Sequence, residues 1–205
     1  MTDRVVLFVD YQNVYRGARD CFHAEPSTPH VAGQTNPVLV GEHIVATSPF
    51  DRVLEGVRVY RGRPDPRRDG RGHSACTRQI QAWTADPRVA AVTRVLRYPA
   101  GWPDRCQRGQ KPQEKGIDVA LAVDFVRLAL EDQYDVGVLM STDSDLKPAL
   151  ETVMAFSDKR VEVAAWSGRA GYRQRLSVED VQIWCHWLGR EVYEQVCDMT
   201  NYSRA

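Results

Sequence analysis

Apolar residues in this chain fall into short dense runs, separated by polar stretches rich in proline and glycine. Residues 4–9 (RVVLFV) form a continuous apolar run, the pattern of a strand buried on both faces of a parallel sheet. Asp10 ends the run, and Asn13 to Asp20 can open a helix. Residues 21–35 read as a long loop, after which Asn36-Pro37 resembles an N-cap followed by a first-turn proline, starting a helix to about Thr47. Arg52 to Arg61, with Val57 and Val59 alternating, predicts a second strand. Val89 to Tyr98 is β-branched and predicts a third. A helix from about Ser74 to Thr84 stands between them, stopped by Asp86-Pro87. Ile117 to Leu130 is apolar almost all round, as a helix buried on most sides must be, and only Asp118, Asp124 and Arg127 interrupt it. Asp135–Met140 and Arg160–Trp166 predict two more strands, with a helix from Leu146 to Phe156 between them. From about 176 to 200 the spacing of Trp184, Trp187 and Tyr193 predicts a helical extension. Strands that alternate with helices imply an α/β fold around a mostly parallel sheet.

Composition narrows the class without changing that picture. With 205 residues, 43% of them hydrophobic, the chain can bury one sizeable core, so a single domain is expected. No run approaches the roughly 20 apolar residues of a membrane span, and the first run is too short for the core of an export signal. Five cysteines, scattered and without a C-x-x-C pair, argue against a disulfide framework or a zinc knuckle and suit a reducing cytoplasm. Net charge is zero, but its distribution is uneven. Residues 61–71 hold Arg61, Arg63, Arg67, Arg68 and Arg71 against two aspartates. Residues 94–115 hold Arg94, Arg97, Arg105, Arg108, Lys111 and Lys115 against Asp104 and Glu114. Arginine forks match phosphate oxygens and position nucleic acid without reading its sequence, although an Arg-rich loop can equally be solvated surface. Tyr98 and Trp102 beside the second segment are candidates for stacking on unpaired bases.

The candidate chemistry lies where strands end. In open α/β sheets ligands bind beyond the carboxyl ends of the strands. Asp10 follows the first strand, with Asn13 a turn later; Asp118 opens the buried helix; Ser141, Asp143 and Asp145 follow the fourth strand. Each acid alone has an ordinary explanation as a helix N-cap or a first-turn acid. Together they form an oxygen-only cluster of the kind that suits Mg²⁺ or Mn²⁺, ions that can activate water and stabilise a leaving phosphodiester oxygen. Asp124 lies six residues beyond Asp118, about 240° around the helix, so the two cannot share a face, and it reads as scaffold.

The blocks F-V-D-Y-Q-N, K-G-I-D-V-A-L-A-V-D and S-T-D-S-D-L, in that order within about residues 4–166, resemble the signature of the NYN domain family. That family belongs to the PIN-like superfamily, and the likeness is nearest to its LabA-like, DUF88 branch. The resemblance implies a three-layer α/β/α fold and a Mg²⁺- or Mn²⁺-dependent nuclease acting on RNA, with no membrane partner. Asp10, Asp118 and Asp143 would be the metal ligands, supported by Asn13 and Asp145. Ser141 would line the site; the charge of the two basic segments, apart from the resemblance, nominates Lys115, Lys111, Arg67, Arg68, Arg71 and Arg108 to hold the strand. Two positions depart from the pattern: Tyr11, where a small residue is usual and which could narrow the site or stack on a base, and Thr142, where glycine is common. Two other readings compete. One is an RNA-binding module with weak or no catalysis; the other is a phosphohydrolase of small phosphate esters, disfavoured because Asp10-Tyr-Gln lacks a second acid two residues on. The oligomeric state is left open, a homodimer included.

Overall fold

The structure, a computed structural model, describes residues 2–23, 25, 27–107, 109–168 and 174–204. Six strands form one all-parallel sheet: β1 (Asp3–Asp10), β2 (Arg52–Arg63), β3 (Val89–Val95), β4 (Val136–Met140), β5 (Arg160–Trp166) and β6 (Trp184–Leu188), in the order β3-β2-β1-β4-β5-β6. Six helices flank it: α1 (Tyr11–Phe22), α2 (Pro37–Ala46), α3 (Gly70–Thr84), α4 (Ile117–Leu130), α5 (Lys147–Phe156) and α6 (Arg190–Val196). The architecture is the expected three-layer α/β/α sandwich.

β1 is central, and its continuous apolar run has the predicted consequence. Val5, Leu7 and Val9 pack into one core with residues of α1, α2 and α6, including Val14, Ala18, Ile44 and Tyr193. Val6 and Phe8 point the other way, into a second core built on α4 and α5, with Phe125, Leu121 and Leu150. The chain leaves β1 towards β2 on one side and returns through β4 on the other. The order of strands therefore reverses between β1 and β4, and such a reversal opens a crevice at the strand ends. Register brings the two exits together, because Val9 lies opposite Met140, so Asp10 and Ser141 leave the sheet side by side.

α4 and β5 have the predicted bounds, and α2 starts on the predicted cap, where the Asn36 side chain accepts from the backbone N–H groups of Val38 and Leu39. Three expectations need correction. β2 runs on to Arg63 and α3 begins at Gly70, so the basic loop is shorter than its composition suggests. β3 stops at Val95, before Tyr98. The tail is not helical through Trp184 and Trp187: that stretch is the edge strand β6, followed by the short α6. Burial alternates from Cys185 on, with His186 and Leu188 buried and Cys185 and Trp187 half-buried, while Trp184 at the strand's start is 54% exposed. The three-residue spacing of the tryptophans is thus a coincidence within a strand. Among the described residues, no helix is long and apolar enough to cross a membrane.

Candidate active site

The crevice between β1 and β4 is an open cleft of about 840 Å³. Its acids come from four chain segments. Asp10 stands at the end of β1, Asp20 on α1, Glu114 and Asp118 around the start of α4, and Asp143 just past β4. Asn13, Arg16, Gly17 and Asp20 recur at spacings of three and four residues and so present one face of α1 to the same space. Gly116 precedes α4 with φ +75°, a left-handed conformation that side chains resist, and the turn it makes buries Ile117 while Asp118 lines the cleft.

Asp10 is 5% exposed and held from two directions. Its Oδ1 accepts from the Asn13 N–H at 3.3 Å, capping α1, and its Oδ2 accepts from the Ser141 hydroxyl at 2.9 Å. Ser141 Oγ in turn accepts from the Asp143 N–H at 3.1 Å, and Asp143 Oδ1 accepts from the Asp145 N–H at 3.0 Å. Asn13 Oδ1 takes both the backbone N–H and the hydroxyl of Thr142, at 3.0 and 3.2 Å. The ordinary explanation and the functional one therefore coexist: Asp10 and Asp143 are caps, and both still line the cleft.

Electrostatics distinguish these acids from decorative ones. Burial, joined by repulsion from Asp118 and Glu114, lifts Asp10 to about 6, against the pull of Ser141 and Asn13. Asp118 is also raised, by burial and then by the charges of Asp143 and Asp145. Glu114 is raised by burial, with Asp118 adding to it and the Gly62 N–H and Arg61 opposing. Among the described residues none of the five cleft acids has a salt-bridge partner, and only Arg16 and Lys111 bring positive charge to the lining. Oxygen donors that repel one another suit a hard divalent cation. As the side chains stand, however, no three His, Cys, Asp or Glu among the described residues are gathered closely enough to hold one ion. Donor chemistry and charge fit such a cation; a closed three-carboxylate cage is not preformed.

Asp10, Asn13, Asp118, Asp143 and Lys111 thus line one cleft. Ser141 is buried behind Asp10 and bonded to it. Asp145 is exposed on a one-turn 3-10 helix and acts on the cleft through its charge on Asp118. Lys115 is exposed and outside the cleft lining, as are Arg67 and Arg68 on the β2–α3 connection and Arg71 in the first turn of α3. Arg68 instead stacks over the Tyr98 ring, 5.4 Å from its centroid. Arg108 lies outside the described residues. Tyr11 does not narrow the site: it is buried among Trp83 and Arg61, and its hydroxyl accepts from Gln79 Nε2 at 2.8 Å. Asp124 is scaffold, since it accepts from the Tyr60 hydroxyl at 2.9 Å and pairs with Arg127 at 3.1 Å. Sequence reasoning missed Asp20, Glu114, Arg16 and Gln12 as lining residues. Glu114 alone had a signal, as the acid immediately before the K-G-I-D block and four residues before Asp118.

A model of the NYN domain family matches residues 4–176. No curated protein matches the chain. Among solved structures, the crystal structure of a protein of unknown function from Vibrio parahaemolyticus is similar, with a TM-score of 0.49 and 17% identity over 80% of this chain and 82% of that one.

Proposed function

The chain belongs to the NYN domain family of PIN-like nuclease domains, and from that premise we propose that it is a Mg²⁺- or Mn²⁺-dependent ribonuclease hydrolysing single-stranded RNA at the acidic cleft. The observation that carries the reading is the convergence of Asp10, Asp118 and Asp143 at the reversal point of the sheet, with Asp10 and Asp118 raised by burial and by their acidic neighbours. The blocks around Asp118 and Asp143 support placement in the LabA-like, DUF88 branch.

Asp10, Asp118 and Asp143 would hold the cation. Mg²⁺ keeps several waters and binds through one or two carboxylates together with substrate phosphate, so three gathered ligands are not required. When bound, the ion supplies water activation and stabilisation of the leaving oxygen. Side chains of this protein do the rest. Ser141 and the Asn13 N–H fix both oxygens of Asp10, so the carboxylate is oriented before any ligand arrives. Asn13 Oδ1 is engaged by Thr142, which leaves its amide N–H groups to donate to a phosphate oxygen. Arg16 and Lys111 place positive charge on the same cleft and orient the phosphodiester.

The test is cleavage of a labelled single-stranded RNA with Mn²⁺, with EDTA, and by the Asp143→Asn variant. Hydrolysis is expected with Mn²⁺ only, and the variant is expected to lose it by about a hundredfold or more with little change in fold. Undiminished cleavage by Asp143→Asn removes the proposed site. Binding without cleavage points to an RNA-binding module, and turnover of a chromogenic phosphate ester in place of RNA points to a small-ester phosphohydrolase.

A further inference from the structure

Beside the acidic cleft lies a second, more apolar pocket of about 300 Å³, which the chemistry above does not use. The two cavities share Gln12 and Glu114, so a strand lying in the cleft abuts the pocket. We propose that this pocket receives one unpaired base of the RNA whose phosphate occupies the cleft. The inference rests on the ribonuclease reading and defines a nucleotide subsite for it.

Three features carry it. The first is an apolar and aromatic wall. Tyr15 lines the pocket with its ring fixed, because its hydroxyl donates to the His30 carbonyl at 2.8 Å and the Arg19 guanidinium lies 5.8 Å from its centroid. Leu96 stands near Gly62, where a Cβ would run into both Leu96 and Glu114. A strand glycine there lets the Leu96 and Glu114 side chains close against the backbone and form the pocket wall. The second is a floor formed in advance. Arg61 Nη1 donates to Gln79 Oε1 at 2.5 Å, and Gln79 Nε2 donates to the Tyr11 hydroxyl at 2.8 Å and to Gln34 Oε1 at 3.0 Å. These side chains are tied to one another, although Arg61 Nε is buried without a hydrogen-bond partner among the described residues, so little side-chain ordering is lost when a ligand enters.

The third is the polar rim shared with the cleft. Glu114 Oε1 accepts from the Gly62 N–H, which leaves the other oxygen as an acceptor. The Gln12 side chain has no hydrogen-bond partner among the described residues and offers both a donor and an acceptor. A flat ring with polar edges fits a fixed aromatic wall and a carboxylate–amide rim, and the volume lies at the small end of ligand pockets. Stacking on an aromatic side chain tolerates any base, because every base has a π-face. The subsite therefore adds affinity without a strong sequence preference.

The test is an abasic scan. A labelled single-stranded oligoribonucleotide is made in versions lacking one base each, and binding is followed by fluorescence anisotropy in EDTA with the whole protein. One position is expected to stand out, with affinity about tenfold lower when its base is absent. That positional effect should vanish in Tyr15→Ala. Gln12→Ala, a helix-favouring change on α1, is expected to shrink it and keeps the test decisive if Tyr15→Ala loosens the fold. Equal tolerance at every position, or a positional effect that survives in both variants, overturns the subsite. Cleavage of the same oligomers with Mn²⁺ is scored separately. Cleavage without a preferred position defeats only the subsite, a preferred position without cleavage defeats only the ribonuclease reading, and neither binding in EDTA nor cleavage with Mn²⁺ defeats both.

Discussion

At the edge where the strands begin, acids are matched to cations. Arg4 pairs with Asp132 and Asp135 at 3.0 Å each, Arg160 with Asp3, and Lys159 with Asp132 and Asp158. Arg52 grips Glu162 at 2.6 Å, and His186 bonds the same carboxylate at 2.8 Å. Asp135 is held down to about 2 by the Arg4 guanidinium. Burial alone would push Glu162 up, but the hydrogen bonds from His186 and Arg52 outweigh it and hold it at about 2. At the opposite edge, five acids meet with no salt-bridge partner among the described residues, and Asp10, Glu114 and Asp118 are all raised. One sheet thus carries two clusters of carboxylates, one neutralised from within and one left with its charge outstanding. The paired edge is architecture. The unpaired edge is held in place by the fold although its charges oppose folding, and on the proposed reading a divalent cation would relieve that repulsion.

The largest expected effect comes from breaking the paired edge. The Arg52 side chain is 1% exposed and that of Glu162 is 6%. Arg52→Ala strands a buried carboxylate, and unfolding in urea should show a loss of about 3–5 kcal/mol. The Mn²⁺ response should persist in whatever fraction remains folded. A loss below about 1 kcal/mol would mean that the two edges differ less than their geometry indicates.

Relieving the unpaired edge should act in the opposite direction. Asp10 rises from 3.8 to about 6, so the folded chain holds that proton more tightly than the unfolded one. The Asp10 contribution to metal-free stability should therefore be most favourable below about pH 4, fall as pH rises towards 6 and remain low above it, while Asp135 and Glu162, held at about 2, lose theirs as pH falls through the acid range. With about 1.4 kcal/mol for each pH unit of difference, Asp10→Asn should add up to about 3 kcal/mol at pH 7 and remove that slope. Asparagine can still cap α1. Thermal melts across pH 3.5–7.5 in EDTA check both. A stability difference between wild type and Asp10→Asn that does not grow from pH 4 to pH 6 would show that Asp10 is compensated after all.

These two edges are not equally legible in the sequence. Asp10, Asp118 and Asp143 can be placed because each directly follows or begins an element whose apolar pattern is unambiguous, and α4 in particular has its predicted bounds. The pairing of Arg52 with Glu162, 110 residues apart, depends on strand order and register, which no local pattern contains. Tyr11 misleads for a related reason. It follows Asp10 directly, but the helix begun there turns its ring into the core beside Trp83. β6 reads as helix because two tryptophans three residues apart imitate a helical stripe, while its alternating burial is set by docking against β5. Glu114 and Gln12 carry no periodic signal at all, since a loop and one helix face bring them to the cleft.

The smallest effect concerns the flank of the unpaired edge. Arg67, Arg68 and Arg71 are exposed and stand outside the cleft, so replacing all three with alanine should weaken RNA binding modestly and for every sequence alike. The slope of log affinity against log salt should flatten by about 0.7 for each phosphate of a single strand that the variant no longer neutralises. An unchanged slope would assign this turn to solvated surface and leave Arg16 and Lys111 as the cations that meet phosphate.

Direct titration with Mn²⁺ at pH 7, with the free ion followed by electron paramagnetic resonance, tests the contrast most sharply. The wild-type protein should deplete free Mn²⁺, and Asp118→Asn should abolish that depletion while its melting temperature stays equal or rises slightly. Asp124→Asn, on the other side of the same helix, should bind as the wild type does. Depletion that survives Asp118→Asn, or none in the wild type, would contradict the claim that the unpaired edge is a cation site.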